Sequence, residues 1–206
     1  MRAIKAFLGL VLLSLPFTSG AWAQAAQPSD PVNVVKLVSF DCPVCRASEL
    51  IDGPIKAQVT SGGGQFDFAP LPRGKNEARE DFYYAMRSLS PDTEQQVRTL
   101  LFSGSQDYGY PLMTAAETLD WLKSNLTSPS INWNPILTAV NNGTAHAAVL
   151  RAVGIAIQAG VTVVPTYILI RGNHILDTLD PNSVGGQLSS LRDAVLTALR
   201  KAQSAN

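Results

Sequence analysis

An α/β fold in which strands bracket a long helical block is what this 206-residue sequence predicts. Three observations carry it. A β-branched apolar run at residues 34–40 reads as a buried strand and ends in Cys42-Pro43-Val44-Cys45. Residues 74–143 have the polar-apolar rhythm of helices. The strand period then returns at 161–170, ahead of a glycine turn.

The elements follow in order. Arg2 and Lys5 precede an apolar stretch at 6–17, and Ala21-Trp22-Ala23 has the small-x-small pattern of a cleavage site, so residues 1–23 are expected to be a secretory signal cut near Ala23. A membrane-spanning helix needs about 20 apolar residues, and Pro16, Ser19 and Gly20 interrupt this run. After the strand at 34–40 a first helix continues over 48–60, Gly62-Gly63-Gly64 breaks it, and 65–71 alternates as a second strand. In the helical block Phe82, Met86 and Leu89 share a face. Ser90-Pro91-Asp92-Thr93 starts a helix running toward Phe102, and Thr114-Ala115-Ala116-Glu117 is a capping box before Leu119, Leu122 and Leu126. Residues 142–159 form an alanine-rich helix with Val149, Val153 and Ile157 on one side. A strand at 161–170, a turn at 171–173, a returning strand at 174–176 and an amphipathic helix carrying Val184, Leu188, Leu191, Val195 and Leu199 complete the chain. Asn125-Leu126-Thr127 and Asn142-Gly143-Thr144 match glycosylation triplets, which also arise by chance.

Cleavage of the signal removes two of 16 basic residues and none of 16 acidic ones, leaving 14 against 16. So small a net charge gives no case for nucleic acid or an anionic membrane as partner. The chain is long enough to bury a core without disulfide staples, which frees Cys42 and Cys45, its only cysteines, for chemistry. A structural bridge between them would close too short a loop to stabilise much. A closed zinc site wants four ligands, and only His146 and His174, both remote in sequence, are left to join the pair; no metal site is expected.

Redox chemistry suits the spacing. Pro43 fits the first position of a helix, which puts Cys42 where helix N–H groups favour a thiolate and leaves it the exposed, low-pKa thiol. Cys45, one turn further in, is expected to be buried and to resolve mixed disulfides. Asp41 disfavours a neighbouring anion, and Val44 adds no charge or side-chain donor. Farther along, Pro165 in Val163-Val164-Pro165-Thr166 sits inside a strand pattern, where proline is normally confined to an edge.

Cys42-Pro43-Val44-Cys45, Val164-Pro165-Thr166 and the order of elements together resemble the DsbA-like family of exported thiol-disulfide oxidoreductases. The resemblance covers nearly the whole mature chain. It implies a thioredoxin fold, a central mixed sheet flanked by helices, from residues 24–73 and 144–206, with an inserted helical domain at 74–143. It further implies that Pro165 is cis, and that the Val164 backbone, with Pro165 and Thr166, pairs with an extended substrate peptide. Two positions depart from the family. Many members carry an acid six residues before the first cysteine, as a proton relay for the buried thiol, where this chain has Lys36. Lys36 either favours thiolate by its charge or snorkels its amine to water. Glu49 matches a family acid and either takes over the relay or is a solvated helix-surface residue. Asp41 stands where aromatic or small residues are common.

The expected activity is that of a periplasmic protein dithiol-disulfide oxidoreductase: the Cys42–Cys45 disulfide accepts a client thiol through Cys42, and Cys45 resolves the mixed disulfide. Its redox group is that disulfide, with no other cofactor. By resemblance, its partners are unfolded or extended exported proteins with free thiols and a membrane redox protein that reoxidises it. Only about ten residues separate Ala23 from the first strand, where exported isomerases of this fold carry a dimerisation module, so a monomeric oxidase is favoured. A reductase or isomerase of the same fold, or a peptide-binding chaperone or assembly factor of a secretion or conjugation apparatus, are the other readings.

Overall fold

The computed structural model describes residues 30–74, 78–110, 112, 114–127 and 131–205; the expected signal, residues 1–23, lies outside them. Strand β1 (Val32–Val38) leads into α1 (Pro43–Ala47), a 3₁₀ turn (Ser48–Ile51) and α2 (Asp52–Ser61), followed by β2 (Phe66–Pro70). The inserted helices are α3 (Ala78–Met86), α4 (Pro91–Gln106), α5 (Ala115–Asn125) and α6 (Trp133–Asn141). Then come α7 (Thr144–Gln158), β3 (Thr166–Arg171), β4 (His174–Leu179) and α8 (Leu188–Ser204). The sheet is mixed and four-stranded in the order β2-β1-β3-β4. β1 runs parallel to β2 and antiparallel to β3, which is antiparallel to β4.

Central β1 is covered on both faces, which explains why apolar residues occupy successive positions along it and not alternate ones. Val34 packs with Ile55 and Val59 of α2 and Leu191, Val195 and Leu199 of α8. The alternate residues Val35 and Leu37 meet Ala152 and Ala156 of α7 on the other side. At the end of β1, Val38 and Phe40 enter a third core with Phe68, Tyr83 and Phe102, the rings of Phe40 and Phe102 lying edge to face at 5.1 Å. This aromatic core joins the inserted helices to the sheet. Gly64 admits β2 beside β1, since a Cβ there would stand 2.0 Å from the Val32 carbonyl oxygen.

Several elements differ from their sequence expectation for identifiable reasons. The helix expected over 48–60 is broken by the 3₁₀ turn, because Pro54 cannot donate to the carbonyl four residues back and its ring clashes with it. The strand expected over 161–170 begins only at Thr166, since Pro165 has no N–H for the ladder. Leu89 falls beyond α3 and is 44 % exposed. Ile157 is exposed on α7, whose buried stripe is Ala145, Val149, Ala152 and Ala156, small residues that let the helix lie close to the sheet. Val184 belongs to a separate 3₁₀ turn, cut off from α8 by Gly185 and Gly186, both at positive φ. Helix α6 has no separate sequence expectation; Asn132 caps it, accepting from the Asn134 N–H at 3.1 Å. The expected caps of α4 at Ser90 and of α5 at Thr114 with Glu117 are formed.

Candidate active site

The chain leaves β1 through a tight turn in which the Cys42 N–H donates to the Ser39 carbonyl at 3.0 Å. Cys42 is the extended N-cap of α1 and Pro43 opens the helix. The Cys45 N–H donates to the Cys42 sulfur at 3.1 Å, so a helix N-terminal donor is aimed at the thiol. Both cysteines are free. The hydrogen bond from the Cys45 thiol is the largest influence on Cys42; with the backbone N–H groups of Cys45 and Val44 and the charge of Arg73, it holds the Cys42 thiol down to about 6 from an ordinary 9.0, against burial. Burial pushes the Cys45 thiol strongly up, and its hydrogen bond to Cys42 adds to the shift. Cys42 is less open than its helix-cap position suggests: it is 9 % exposed and Cys45 is 0 %. Val44 contributes through its backbone rather than its exposed side chain.

The inserted helices hold this turn from above. Arg79 of α3 grips both Asp41 oxygens, at 2.5 and 2.8 Å, and the Ser105 hydroxyl of α4 donates to the same carboxylate. Gln106 donates to the Phe40 carbonyl at 2.7 Å. The Arg79 hydrogen bond holds the Asp41 carboxyl below its ordinary value. Its charge is therefore present but paired, which tempers the repulsion expected against a Cys42 thiolate.

Beneath Cys45 lies a buried polar group. Lys36 is 0 % exposed, and its ammonium donates to the two Asp52 oxygens at 2.9 and 2.8 Å. The Tyr167 hydroxyl donates to Asp52 at 2.7 Å. The snorkelling reading of Lys36 is thus incorrect: helices cover the sheet face it projects from, and a carboxylate within that cover receives it. Burial draws the Lys36 amine below its ordinary value, with Asp52 opposing, and its charge in turn pulls against the rise of Cys45. Glu49 is not a solvated surface group either. It faces the Arg98 guanidinium at 3.4 Å, and burial raises its carboxyl.

In front of Cys42 opens a groove of about 450 Å³, walled by residues 71–73 on one side and 161–164 on the other, with Ser39 and Pro43 at its base. The Val164–Pro165 bond is cis. The Val164 carbonyl accepts from the Cys42 thiol at 3.5 Å, and the Thr166 hydroxyl donates to the Val163 carbonyl at 2.6 Å. The structure thus brings Cys42, Cys45, Asp41, Pro43, Val44, Val164, Pro165 and Thr166 to one place, with Lys36 behind and Glu49 to the side. Sequence reasoning missed Asp52, Tyr167, Arg79 and Arg73. None has a local signature, and only a search for the partner of a strand lysine would have pointed to Asp52.

This arrangement predicts a simple titration. In the reduced protein, alkylation of Cys42 by iodoacetamide should rise with pH about a midpoint near 6, roughly tenfold per unit below it, while Cys45 stays unmodified until denaturation. Mass spectrometry of the alkylated peptides checks both. A Cys42 midpoint near 9 would remove the donor set as its cause.

A family model described as thioredoxin matches residues 26–189. No curated protein matches the chain. Among solved structures, DsbA of Pseudomonas aeruginosa superposes with a TM-score of 0.69 at 21 % identity, over 87 % of this chain and 87 % of that one. The oxidoreductase NmDsbA1 of Neisseria meningitidis gives 0.60 at 15 % identity, over 88 % of each chain. Oxidised BdbD of Bacillus subtilis gives 0.55 at 16 % identity, over 85 % of this chain and 91 % of that one. At these identities the likeness is one of fold.

Proposed function

Because the chain belongs to the thioredoxin family and has the DsbA-like form of its fold, with helices inserted beside the sheet, we propose that it is a protein dithiol-disulfide oxidoreductase acting as an oxidase of exported proteins. The observation that carries the reading is the set of donors converging on Cys42, at the floor of a groove whose far wall is the Val164 backbone. A client thiolate attacks the Cys42 sulfur of the Cys42–Cys45 disulfide. The S–S bond breaks, Cys45 leaves with the electron pair and takes up a proton, and the client is joined to Cys42. In the oxidising direction the client's second thiolate then attacks the client sulfur and expels Cys42 as a thiolate. Two client thiols have become a disulfide, and the protein holds the two electrons. The reverse attack, by Cys45 on Cys42, frees a client that has no second thiol. No further cofactor is required, since the disulfide itself carries the electron pair.

Linkage supports the oxidising direction. The Cys42 thiol ionises near 6 when folded and near an ordinary 9.0 when unfolded. A depressed acid stabilises the folded protein fully above the unfolded value and loses that contribution as pH falls through the folded one. At neutral pH about one unit of it is present, roughly 1.4 kcal/mol. Only the reduced protein has this thiolate, so reduction is favoured and the disulfide is the more oxidising, by about 30 mV from this source. The leader-like N-terminus supports a periplasmic site of action, and a membrane redox partner would accept the electrons. The test is the reduction potential in glutathione buffers. We expect a value more oxidising than about −200 mV; one near thioredoxin's, about −270 mV, would make the protein a reductase.

A further inference from the structure

Among the described residues, the walls of the groove in front of Cys42 carry a single formal charge. Of the residues lining it only Arg73 is ionised at all pH values of interest, and the opposite wall, residues 161–164, is neutral. The other described cations near the active-site turn are already paired: Arg79 with Asp41, Arg46 with Asp107 at 2.7 Å, and Lys36 with Asp52. Arg73 forms no hydrogen bond or ion pair with any described residue, although its charge reaches both Cys42 and Asp41. Asp41 is occupied by Arg79 and Ser105 and offers it no partner. No described residue neutralises this guanidinium, which lines the groove in front of Cys42, and a guanidinium fork matches a carboxylate bidentately.

We infer that Arg73 is a specificity-determining residue, selecting client segments that carry a carboxylate next to the reacting cysteine and disfavouring those that carry a cation. This rests on the proposed oxidase activity and adds the chemical class of client to it. The exchange is unaltered: the client thiolate attacks Cys42, Cys45 leaves, and Arg73 neither gains nor loses a proton. Its role is to hold the flanking carboxylate while the sulfurs align. The contact is exposed and therefore modest, on the order of fivefold in rate between acidic and basic clients at low salt, and it shrinks as salt screens it.

The experiment uses the oxidised full-length protein and three dithiol peptides identical except for Glu, Gln or Lys beside the cysteine. Each second-order oxidation rate is divided by that peptide's rate with the neutral 2-hydroxyethyl disulfide, which removes the effect of the flanking charge on the peptide's own thiol. The wild-type Glu-to-Lys ratio should be about five and fall toward one in high salt. It should be near one for Arg73→Gln and below one for Arg73→Glu. A change in Cys42 acidity moves all three rates together and leaves the ratio untouched, so the ratio reports client selection alone. Because Arg73 is exposed, unfolding midpoints of the variants should match the wild type. A ratio that is the same in all three proteins overturns the inference, while oxidation of the Gln peptide by wild type still upholds the oxidase reading. Failure to oxidise any peptide above a Cys42→Ser control overturns both.

Discussion

Replacing Cys45 by alanine should leave the protein covalently joined to its clients. In the reduced protein the Cys42 thiolate attacks a client disulfide, and with Cys45 gone the mixed disulfide has no internal thiol to resolve it. Adducts should appear on non-reducing gels, vanish with dithiothreitol, and be absent from Cys42→Ala, because Cys45 is wholly buried and meets no client. Turnover should fall to the uncatalysed level in both variants. The trapping variant carries a second signature. The Cys45 thiol is the largest influence lowering the Cys42 pKa, so its removal should move the alkylation midpoint of Cys42 upward from about 6 while the backbone donors remain. Equal trapping by both variants would refute the ordered scheme.

The second large effect concerns stability. Asp52→Leu alone strands the Lys36 ammonium in the core, and breaking a buried pair in this way costs about 3–5 kcal/mol. Lys36→Met alone strands the carboxylate, although Tyr167 still donates to it, so its cost should be at the low end. The double variant removes both charges and should recover most of the loss, leaving the Tyr167 hydroxyl with only the Ser48 carbonyl, at 3.5 Å. Adding Tyr167→Phe should recover the remainder. Urea unfolding of the reduced proteins, treated as a double-mutant cycle, measures the coupling. Additive losses would mean that the pair is not the unit it is taken to be. Since Lys36 pulls the Cys45 pKa down, the charge-free variants should also resolve mixed disulfides more slowly even when fully folded.

The contrast between Pro43 and Lys36 marks what could be read from the sequence. Pro43, Cys42 and Cys45 lie within one turn of chain, so helix-start rules alone placed a thiol against backbone donors. The strand at β1 was equally legible, because burial on both faces puts apolar residues at most of its positions. Lys36 interrupts that run, and its partner Asp52 lies 16 residues on, beyond a 3₁₀ turn that no periodicity announces. Arg79 and Asp41 are 38 residues apart, and Arg79 reads locally as an ordinary polar residue opening a helix. The groove needed still more: residues 71–73 and 161–164 become its walls only after the sheet has ordered β2, β1 and β3. The place of Pro165 was foreseen through family resemblance, which supplied the tertiary contact that local rules lack. Ile157 erred differently, since two nearby helical stripes were both apolar and only packing against the sheet chose the alanines.

The grip of Arg79, Ser105 and Gln106 on Phe40 and Asp41 bears on how this molecule can be divided. Those three side chains come from the inserted helices, and they bind the two residues immediately before the first cysteine. The insert is therefore a jig for the reactive turn and not a detachable lid over a self-sufficient minimal enzyme. Excising it would release the turn at the same moment as it bared the aromatic core, and a chimera that exchanges inserts between relatives must carry the matching acid at position 41 along with them.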